Sequence, residues 1–189
     1  MAHRVCPWWL GYLLACPLRR LAQDPRTILE PFVSDGMILL EPGPGMGFFT
    51  LEAARMVGAR GRVVAVDIQP RMLDGLRRRA EKAQLLSRIE LRLAGQDGLG
   101  VEDLFGRVDR VLAFAVVHEL PDAGRFFLQA AQALKSGGLL LMAEPSGHVS
   151  PQEFEATVAA AEAAGLTLMS RPFIRRSHAA LFVKGVPSA

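Results

Sequence analysis

Short apolar runs alternate with longer amphipathic segments along this chain, and glycine or proline usually separates them. Five of the runs have the length and composition of β-strands, and they begin near Met37, Arg62, Ile89, Val108 and Leu139. Parallel neighbours in a sheet need a crossover connection of about a dozen residues, which the amphipathic segments supply in helical form. The alternation therefore predicts an α/β fold with a doubly wound, mostly parallel sheet.

Two further runs, at residues 166–170 and 179–183, are joined only by a short loop, so we expect them to pair antiparallel. They complete a predicted seven-stranded sheet with an antiparallel last strand. The helices are expected at residues 48–57, 70–86, 122–134 and 151–164. Glycines that follow these segments, at 58, 137–138 and 165, are expected to act as C-caps.

Size and composition describe a globular chain without a strong charge bias. Its 189 residues are 50% apolar and 22% charged, with a net charge of +3 and a pI of about 9.3. The arginines at 77–79 share a predicted amphipathic helix with Glu81 and Lys82. A solvated helix face explains this cluster better than a nucleic-acid-binding stripe, which would also carry aromatic platforms. We therefore do not expect nucleic acid as a partner.

The first 30 residues are expected to form a helical cap on a domain that spans residues 31–189. Residues 5–18 are mostly apolar but too few to span a bilayer, which takes about 20 residues, so no transmembrane segment is predicted. The rings of Trp8, Trp9 and Tyr12 could pack on the sheet edge or cover an acceptor. Trp9 and Tyr12 are therefore candidate acceptor contacts.

Cys6 and Cys16 are the only two cysteines in the chain. Neither belongs to a C-x-x-C pair or to a Cys/His spacing typical of metal sites, so no metal site is predicted. So few cysteines are compatible with a reducing compartment, and we expect the protein in the cytoplasm.

A glycine-rich turn, Glu41-Pro-Gly-Pro-Gly-Met-Gly47, follows the first predicted strand and precedes a helix. Gly43, Gly45 and Gly47 allow a tight turn and let a ligand approach the backbone without a Cβ clash. Ligands of such sheets bind beyond the carboxyl ends of the strands. Asp67 ends the second strand, where a carboxylate can accept hydrogen bonds from both hydroxyls of a ribose. Together these residues predict a nucleoside site.

The glycine spacing and the acidic residue before it distinguish two kinds of cofactor. The dinucleotide fingerprint G-x-G-x-x-G, counted from Gly43, would need a glycine where Phe48 stands. Glu41 would repel a pyrophosphate, whereas it would attract a ligand that carries an ammonium group. These residues therefore favour a nucleoside that carries an amino acid over NAD.

On these motifs the chain resembles the class I S-adenosylmethionine-dependent methyltransferase family. Leu40-Glu-Pro-Gly-Pro-Gly-Met-Gly-Phe48 looks like its motif I, and Val64-Ala-Val-Asp-Ile-Gln69 looks like its ribose-binding motif. The likeness extends from about Arg26 to Val186. It implies a Rossmann-like fold, S-adenosylmethionine as the cofactor, and contacts through Glu41, the three glycines and Asp67. Two prolines, Pro42 and Pro44, depart from the family pattern and remove two backbone donors.

The resemblance also implies further cofactor contacts. Gln96 and Asp97 lie in the loop after the third strand, where Asp97 matches the acidic residue that accepts from the adenine amino group. Ile68 would stack on the adenine ring, and Met72 would help to enclose it. Ala113 matches the segment of the fourth strand whose backbone lines the methionine moiety.

The segment Val117-His-Glu-Leu-Pro121 resembles the one after the fourth strand in the small-molecule branch of the family, which includes quinone C-methyltransferases. His118 has a pKa suited to a general base near neutral pH, although it could instead only order its loop. Glu119 could orient His118 or an acceptor. Glu144 follows the fifth predicted strand and is a candidate acceptor contact.

We therefore expect a methyltransferase whose small-molecule acceptor lies near the ends of the fourth and fifth strands, under the N-terminal cap. Two alternatives stay open: a methyltransferase that acts on RNA or protein, and a non-catalytic protein that binds S-adenosylmethionine. The sequence is also compatible with a homodimer.

Overall fold

The structure is a computed structural model that describes residues 23–95 and 98–185. Its strands are β1 (Ile38–Pro42), β2 (Arg62–Asp67), β3 (Ile89–Leu93), β4 (Val108–Phe114), β5 (Leu134–Pro145), β6 (Leu166–Ser170) and β7 (Ser177–Lys184). They form one seven-stranded sheet in the order β3-β2-β1-β4-β5-β7-β6. β1 and β3 run parallel to β2, β4 runs parallel to β5, and β7 is antiparallel to both β5 and β6. The predicted Rossmann-like α/β fold, mostly parallel with an antiparallel last strand, is confirmed.

The helices fall between the strands, close to the predicted positions. They are α1 (Pro25–Leu29), α2 (Thr50–Met56), α3 (Pro70–Lys82), α4 (Ala123–Ala133) and α5 (Pro151–Ala163). Three short 3₁₀ turns complete the described elements, at Leu86–Arg88, Glu102–Leu104 and Val117–Glu119. The described chain divides into two compact units, one before Gly98 and one from Gly98 onward. The predicted N-terminal cap lies mostly outside the described residues.

The first unit is built on β1 and β2, which are buried along nearly their whole length. Their parallel register aligns Ile38 with Arg62 and Glu41 with Ala65. α3 begins at Pro70, whose fixed φ suits the first turn of a helix. Its apolar stripe, which includes Met72 and Leu76, is buried against this unit, whereas Arg77 and Arg78 are exposed. Arg79 is half-buried and donates to the Met46 carbonyl, so the predicted solvated face holds for two of the three arginines.

The second unit contains β4 to β7 with α4 and α5. Asp122 caps α4 by accepting a hydrogen bond from the Arg125 N–H group at 2.8 Å. Ser150 and Glu153 form a reciprocal capping box at the start of α5. These capping side chains fix the residue at which each helix begins.

The glycines at 137–138 do not cap α4, so that prediction is wrong. The chain leaves the helix directly into β5 because Leu134, the C-cap residue, is already extended at φ −62° and ψ 141°. Gly137 has a φ of +73°, close to a register shift between Val108 and Arg110 on β4. A Cβ on Gly138 would lie 2.8 Å from the Lys135 carbonyl oxygen. The two glycines therefore allow an irregular start of β5 rather than a helix end.

Within residues 23–95 and 98–185, none of the helices has the length and apolar character needed to cross a membrane. The same residues bring together no set of three or more metal-binding side chains.

Candidate functional site

The glycine-rich turn follows β1 and leads into α2. Gly43, Gly45 and Gly47 have φ angles of +66°, +53° and +83°, in the left-handed region that favours glycine. Among the described residues, a Cβ on Gly45 would meet nothing within 4 Å, whereas a Cβ on Gly47 would lie 2.3 Å from Cδ1 of Leu76. The glycines therefore have different roles: Gly45 leaves open space beside the backbone, and Gly47 lets the turn pack against α3.

Backbone hydrogen bonds hold the turn in place. The Gly43 N–H group donates to the Val66 carbonyl and the Gly47 N–H group donates to the Pro44 carbonyl, each at 2.9 Å. The Arg79 guanidinium on α3 donates to the Met46 carbonyl. The turn is thus shaped by the protein itself, and a ligand would find the open approach at Gly45 rather than a donor at Gly43.

Glu41 lies at the end of β1 with its side chain in the interior, 3% exposed. Burial raises the pKa of this carboxyl from 4.5 to about 7; the nearby Thr50 hydroxyl partly offsets this, and the charge of Asp67 adds to it. Thr50 nevertheless makes no hydrogen bond of normal geometry to it. Within the described part of the chain, neither Glu41 Oε2 nor Thr50 Oγ1 has a hydrogen-bond partner. A buried carboxylate oxygen in this state is suited to a donor from outside the protein.

Asp67 ends β2 and is also buried. Its Oδ1 accepts a hydrogen bond from the Gln69 N–H group at 2.9 Å, which fixes the carboxylate at the turn before α3. The next side chain, Ile68, is 53% exposed, although large apolar residues are usually covered. Met72 is buried in the first turn of α3. The predicted stacking of a base on Ile68 and binding of its ribose by Asp67 are compatible with this exposure and this fixed carboxylate, and they stay predictions.

Four of the predicted contacts lie outside the described residues: Gln96, Asp97, Trp9 and Tyr12. Their proposed roles stay predictions. Ala113 lies in β4 and is fully buried, and its proposed backbone contact with the cofactor stays a prediction.

The second unit brings His118 and Glu144 together. His118 lies in the 3₁₀ turn at Val117–Glu119, and Glu144 lies near the end of β5. Glu144 Oε2 is in hydrogen-bond contact with His118 Nδ1, and Glu144 Oε1 accepts a hydrogen bond from the Val117 N–H group at 2.8 Å. Glu144 is 1% exposed, so both carboxylate oxygens are used inside the protein.

A left-handed residue precedes this contact. Ala115 has a φ of +55°, and its N–H group donates to the Ala143 carbonyl at 2.7 Å. A non-glycine residue in this region is strained, and such strain concentrates at functional sites. The turn at Ala115 ends β4 and leads into the segment in which Val117 and His118 meet Glu144.

The His118 ring is 25% exposed, and it faces two further ionisable groups. Its Nε2 lies 3.9 Å from Glu119 Oε1, and the centroid of the His148 ring lies 6.3 Å from its own. The hydrogen bond to Glu144 raises the pKa of His118 above 6.5; burial opposes this, and the charges of Glu144 and Glu119 add to it. His118 therefore has Nδ1 held by a buried carboxylate, whereas Nε2 lies 3.9 Å from the carboxylate of Glu119.

Sequence reasoning found both residues but missed the contact between them. It assigned the orientation of His118 to Glu119 and an acceptor-facing position to Glu144, whereas the buried partner of the ring is Glu144. Glu119 Oε1 lies 3.9 Å from Nε2, and both its orienting role and the acceptor contact of Glu144 stay predictions. The contact could have been anticipated from the positions of the two residues in the sequence. His118 and Glu144 each follow the apolar part of a strand, and these strands, β4 and β5, are neighbours in the sheet.

A family model described as a methyltransferase domain matches residues 33–170. The chain is 32% identical over 144 residues to a ribosomal protein L11 methyltransferase from Pelotomaculum thermopropionicum, which covers 76% of this chain and 42% of the relative. It is 31% identical over 143 residues to a ubiquinone biosynthesis O-methyltransferase from Methylocella silvestris, which covers 75% of this chain and 53% of the relative. The chain thus spans about half the length of the curated relatives it matches.

Solved structures share the fold. A structure of an S-adenosylmethionine-dependent methyltransferase from Aquifex aeolicus matches with a TM-score of 0.84 and 21% identity, over 95% of this chain and all of that one. At this identity the match supports the fold alone, whereas the family model covers most of the chain. The chain belongs to the methyltransferase domain family, which confirms the resemblance to S-adenosylmethionine-dependent methyltransferases and the cofactor that it implies.

Proposed function

We propose that this protein transfers a methyl group from S-adenosylmethionine to a small-molecule acceptor. The observation that carries the proposal is the buried Glu41 Oε2, which has no hydrogen-bond partner in the described part of the chain. It lies beside a glycine turn where the same residues leave open space at Gly45. An unpaired buried carboxylate destabilises a protein unless a ligand compensates for it. The ammonium group of the cofactor's amino acid is such a ligand.

The residues present fit the rest of the cofactor as well. Asp67 supplies a fixed carboxylate for the ribose hydroxyls, and Ile68 supplies an exposed apolar face for the base. Gln96 and Asp97 are proposed for the adenine edge on the family resemblance. When bound, S-adenosylmethionine supplies an electrophilic methyl group on a sulfonium. The role of Glu41, Gly45 and Asp67 is to bind and orient it, and alignment alone can account for much of the rate of such a transfer.

His118 is the proposed general base. Its Nδ1 is taken by Glu144, so its Nε2 is the nitrogen that can accept a proton from an acceptor. Glu119 lies near Nε2 and would stabilise the protonated ring.

A small-molecule acceptor is supported by the relatives named as ubiquinone biosynthesis O-methyltransferases. They also give partial support to the predicted quinone branch. A protein acceptor is the second candidate, since other relatives are named as methyltransferases of ribosomal protein L11 or of protein L-isoaspartate.

Calorimetry with S-adenosylhomocysteine tests the cofactor site. A bound ammonium needs an ionised Glu41, and a carboxyl with a pKa of about 7 is mostly protonated at pH 6. Affinity should therefore rise about tenfold between pH 6 and pH 8. Glu41→Gln should bind weakly at both values, with little dependence on pH.

Glu81→Gln is the matched control, because Glu81 is an exposed carboxylate of the same unit. It should bind as the wild type does at both values of pH. NAD should bind more weakly than S-adenosylhomocysteine. Preference for NAD, or unchanged binding by Glu41→Gln, would refute the proposed cofactor site.

A further inference from the structure

We propose that Glu144 is a positioning residue that holds His118 as the base for an acceptor hydroxyl of the phenol or enol type. The inference rests on the proposed function and names its substrate class. Glu144 does not contact the acceptor in this proposal and acts through His118.

Glu144 fixes the orientation of the His118 ring through a contact with Nδ1. Glu144 is itself anchored, because its Oε1 is held by the Val117 N–H group at 2.8 Å. Its Oε2 contacts Nδ1 of His118, the residue that follows Val117. The His118 ring is therefore oriented by a carboxylate that is itself held in place. An Nδ1–H donated to a carboxylate leaves the lone pair of the neutral ring on Nε2. This is the tautomer that a base at Nε2 needs.

The groups around the pair favour a stronger base than free imidazole. Glu144 and Glu119 both face the ring, and His148 is the other titratable ring near it. On the neighbouring strand β7, His178 is the register partner of Glu144, and its ring packs on Phe154 of α5. Hydrogen bonding to Glu144 raises the pKa of His118, so the ring takes up a proton more readily than it would alone.

The need for a base selects the acceptor atom. A neutral amine already has a lone pair and loses its proton after the transfer. A thiol ionises near pH 8.5 and is partly anionic without help, whereas a phenol ionises near pH 10. A hydroxyl of this acidity gains the most reactivity when a nearby imidazole removes its proton. An ordinary alcohol is too weak an acid to be deprotonated by an imidazole. A built His–Glu pair therefore indicates a phenol or enol hydroxyl.

These groups account for every bond, electron pair and proton in the proposed methyl transfer. The acceptor's O–H bond breaks, and its proton goes to His118 Nε2. The acceptor oxygen uses a lone pair to form the bond to the methyl carbon. The carbon–sulfur bond of the cofactor breaks at the same time, and its electron pair stays on sulfur, which leaves as a neutral thioether. His118, now protonated between Glu144 and Glu119, then releases its proton to solvent.

The first test is the titration of His118 by NMR in the protein saturated with S-adenosylhomocysteine, which requires no turnover. In Glu144→Gln the His118 pKa should fall, because the carboxylate that stabilises the charged ring is removed. Glu144→Asp should keep part of the effect, and Glu119→Gln should lower the pKa by less. Glu155→Gln, an exposed carboxylate on α5, is the remote control and should change nothing.

Because Glu144 is buried, the affinity for S-adenosylhomocysteine is measured for each variant, and it should stay near the wild-type value if the fold is intact. Should Glu144→Gln fail to fold, Glu144→Asp carries the test alone, with an intermediate His118 pKa as the expected result. A His118 pKa that is the same in the wild type and in a folded Glu144 variant would overturn the pairing, and the proposed function would stand.

The second test identifies the methylated atom. The protein is incubated with S-adenosylmethionine labelled with ¹³C in the methyl group and a low-molecular-mass cell extract, and the ¹³C shift of the product separates O-, N-, S- and C-methyl groups. We expect an O-methyl product, a 10²- to 10⁴-fold lower rate in His118→Ala, and a rate that rises with pH in the wild type. In Glu144→Gln the midpoint of that rise should move to lower pH.

A methyl group on nitrogen, sulfur or carbon would overturn the hydroxyl assignment and leave the proposed function intact. A wild-type protein that binds S-adenosylhomocysteine and labels no small molecule would refute both.

Discussion

Two buried glutamates end strands in this protein, and their surroundings give them different chemistry. Both oxygens of Glu144 are hydrogen-bonded to neighbouring groups. Glu41 Oε2 has no partner within the described residues, and burial raises its pKa to about 7. Leaving a buried polar group unsatisfied costs about 1–3 kcal/mol, and more for a charge. Glu144 therefore contributes to the folded structure, whereas the unsatisfied Glu41 lowers stability and is the residue we propose for binding the cofactor's ammonium group.

The pH dependence of unfolding follows from the raised pKa of Glu41. The folded protein holds this proton more tightly than the unfolded chain does, so the stability it adds is complete below about pH 4.5 and is lost as pH rises to about 7. In the ligand-free protein, the free energy of unfolding of the wild type relative to Glu41→Gln should fall by up to about 3 kcal/mol over this range. Urea unfolding at several values of pH measures it. Parallel curves for the two proteins would contradict the burial of an ionisable carboxyl here.

In the turn between β1 and α2, Gly45 and Gly47 have different surroundings. Gly45 has room for a side chain but a left-handed backbone, whereas Gly47 has a left-handed backbone and the buried Leu76 against it. The sequence shows three equivalent glycines in this turn. The structure shows that Gly45 lies at the open side and Gly47 at the packed side.

Alanine substitutions should distinguish the two glycines. Gly45→Ala should destabilise the protein by only about 1–2 kcal/mol, the penalty of a left-handed alanine, but it should weaken S-adenosylhomocysteine binding because the Cβ fills the approach to the backbone. Gly47→Ala has the same backbone penalty and must also displace Leu76, so it should lose more stability. Thermal unfolding with and without ligand measures both effects. An equal loss of stability in the two variants would be inconsistent with these separate roles.

For the molecule as a whole, the positions of most strands and helices were predictable from the sequence, because the periodicity of apolar residues is a local property. The seven strands and the four long helices lie within a few residues of their predicted positions. The start of β5 was not predictable, because Gly137 and Gly138 are typical of a helix cap and only the neighbouring β4 reveals the irregular strand. The positions of Glu41 and Asp67, the proposed cofactor contacts, were predictable because each follows an apolar strand. The contact between His118 and Glu144 was not, because it joins residues 26 positions apart through the pairing of β4 with β5.

The interior of the second unit depends on Phe182 of β7. It is fully buried, pairs in register with Leu140 of β5 and Leu168 of β6, and lies with its ring 6.5 Å from that of Phe127. Phe182→Ala should therefore lower the free energy of unfolding by about 3–5 kcal/mol. Phe173→Ala is the matched control, because Phe173 is 93% exposed and should change stability little. Denaturant unfolding measures the free energy of unfolding of both variants. Similar decreases in the two would contradict the packing described for Phe182.

Because β7 lies between β5 and β6, this side of the sheet cannot assemble in the order in which its strands are synthesised. β6 leaves the ribosome before β7, yet it has no place in the sheet until β7 has paired with β5. The roughly 40 residues from Pro145 to Lys184 take about 2–8 s to translate. During that interval β5 has an uncovered edge beside the apolar side chains of Leu140 and Met142, and such an edge is a template for pairing with other chains. Protection by a chaperone would therefore matter most in the few seconds before β7 emerges.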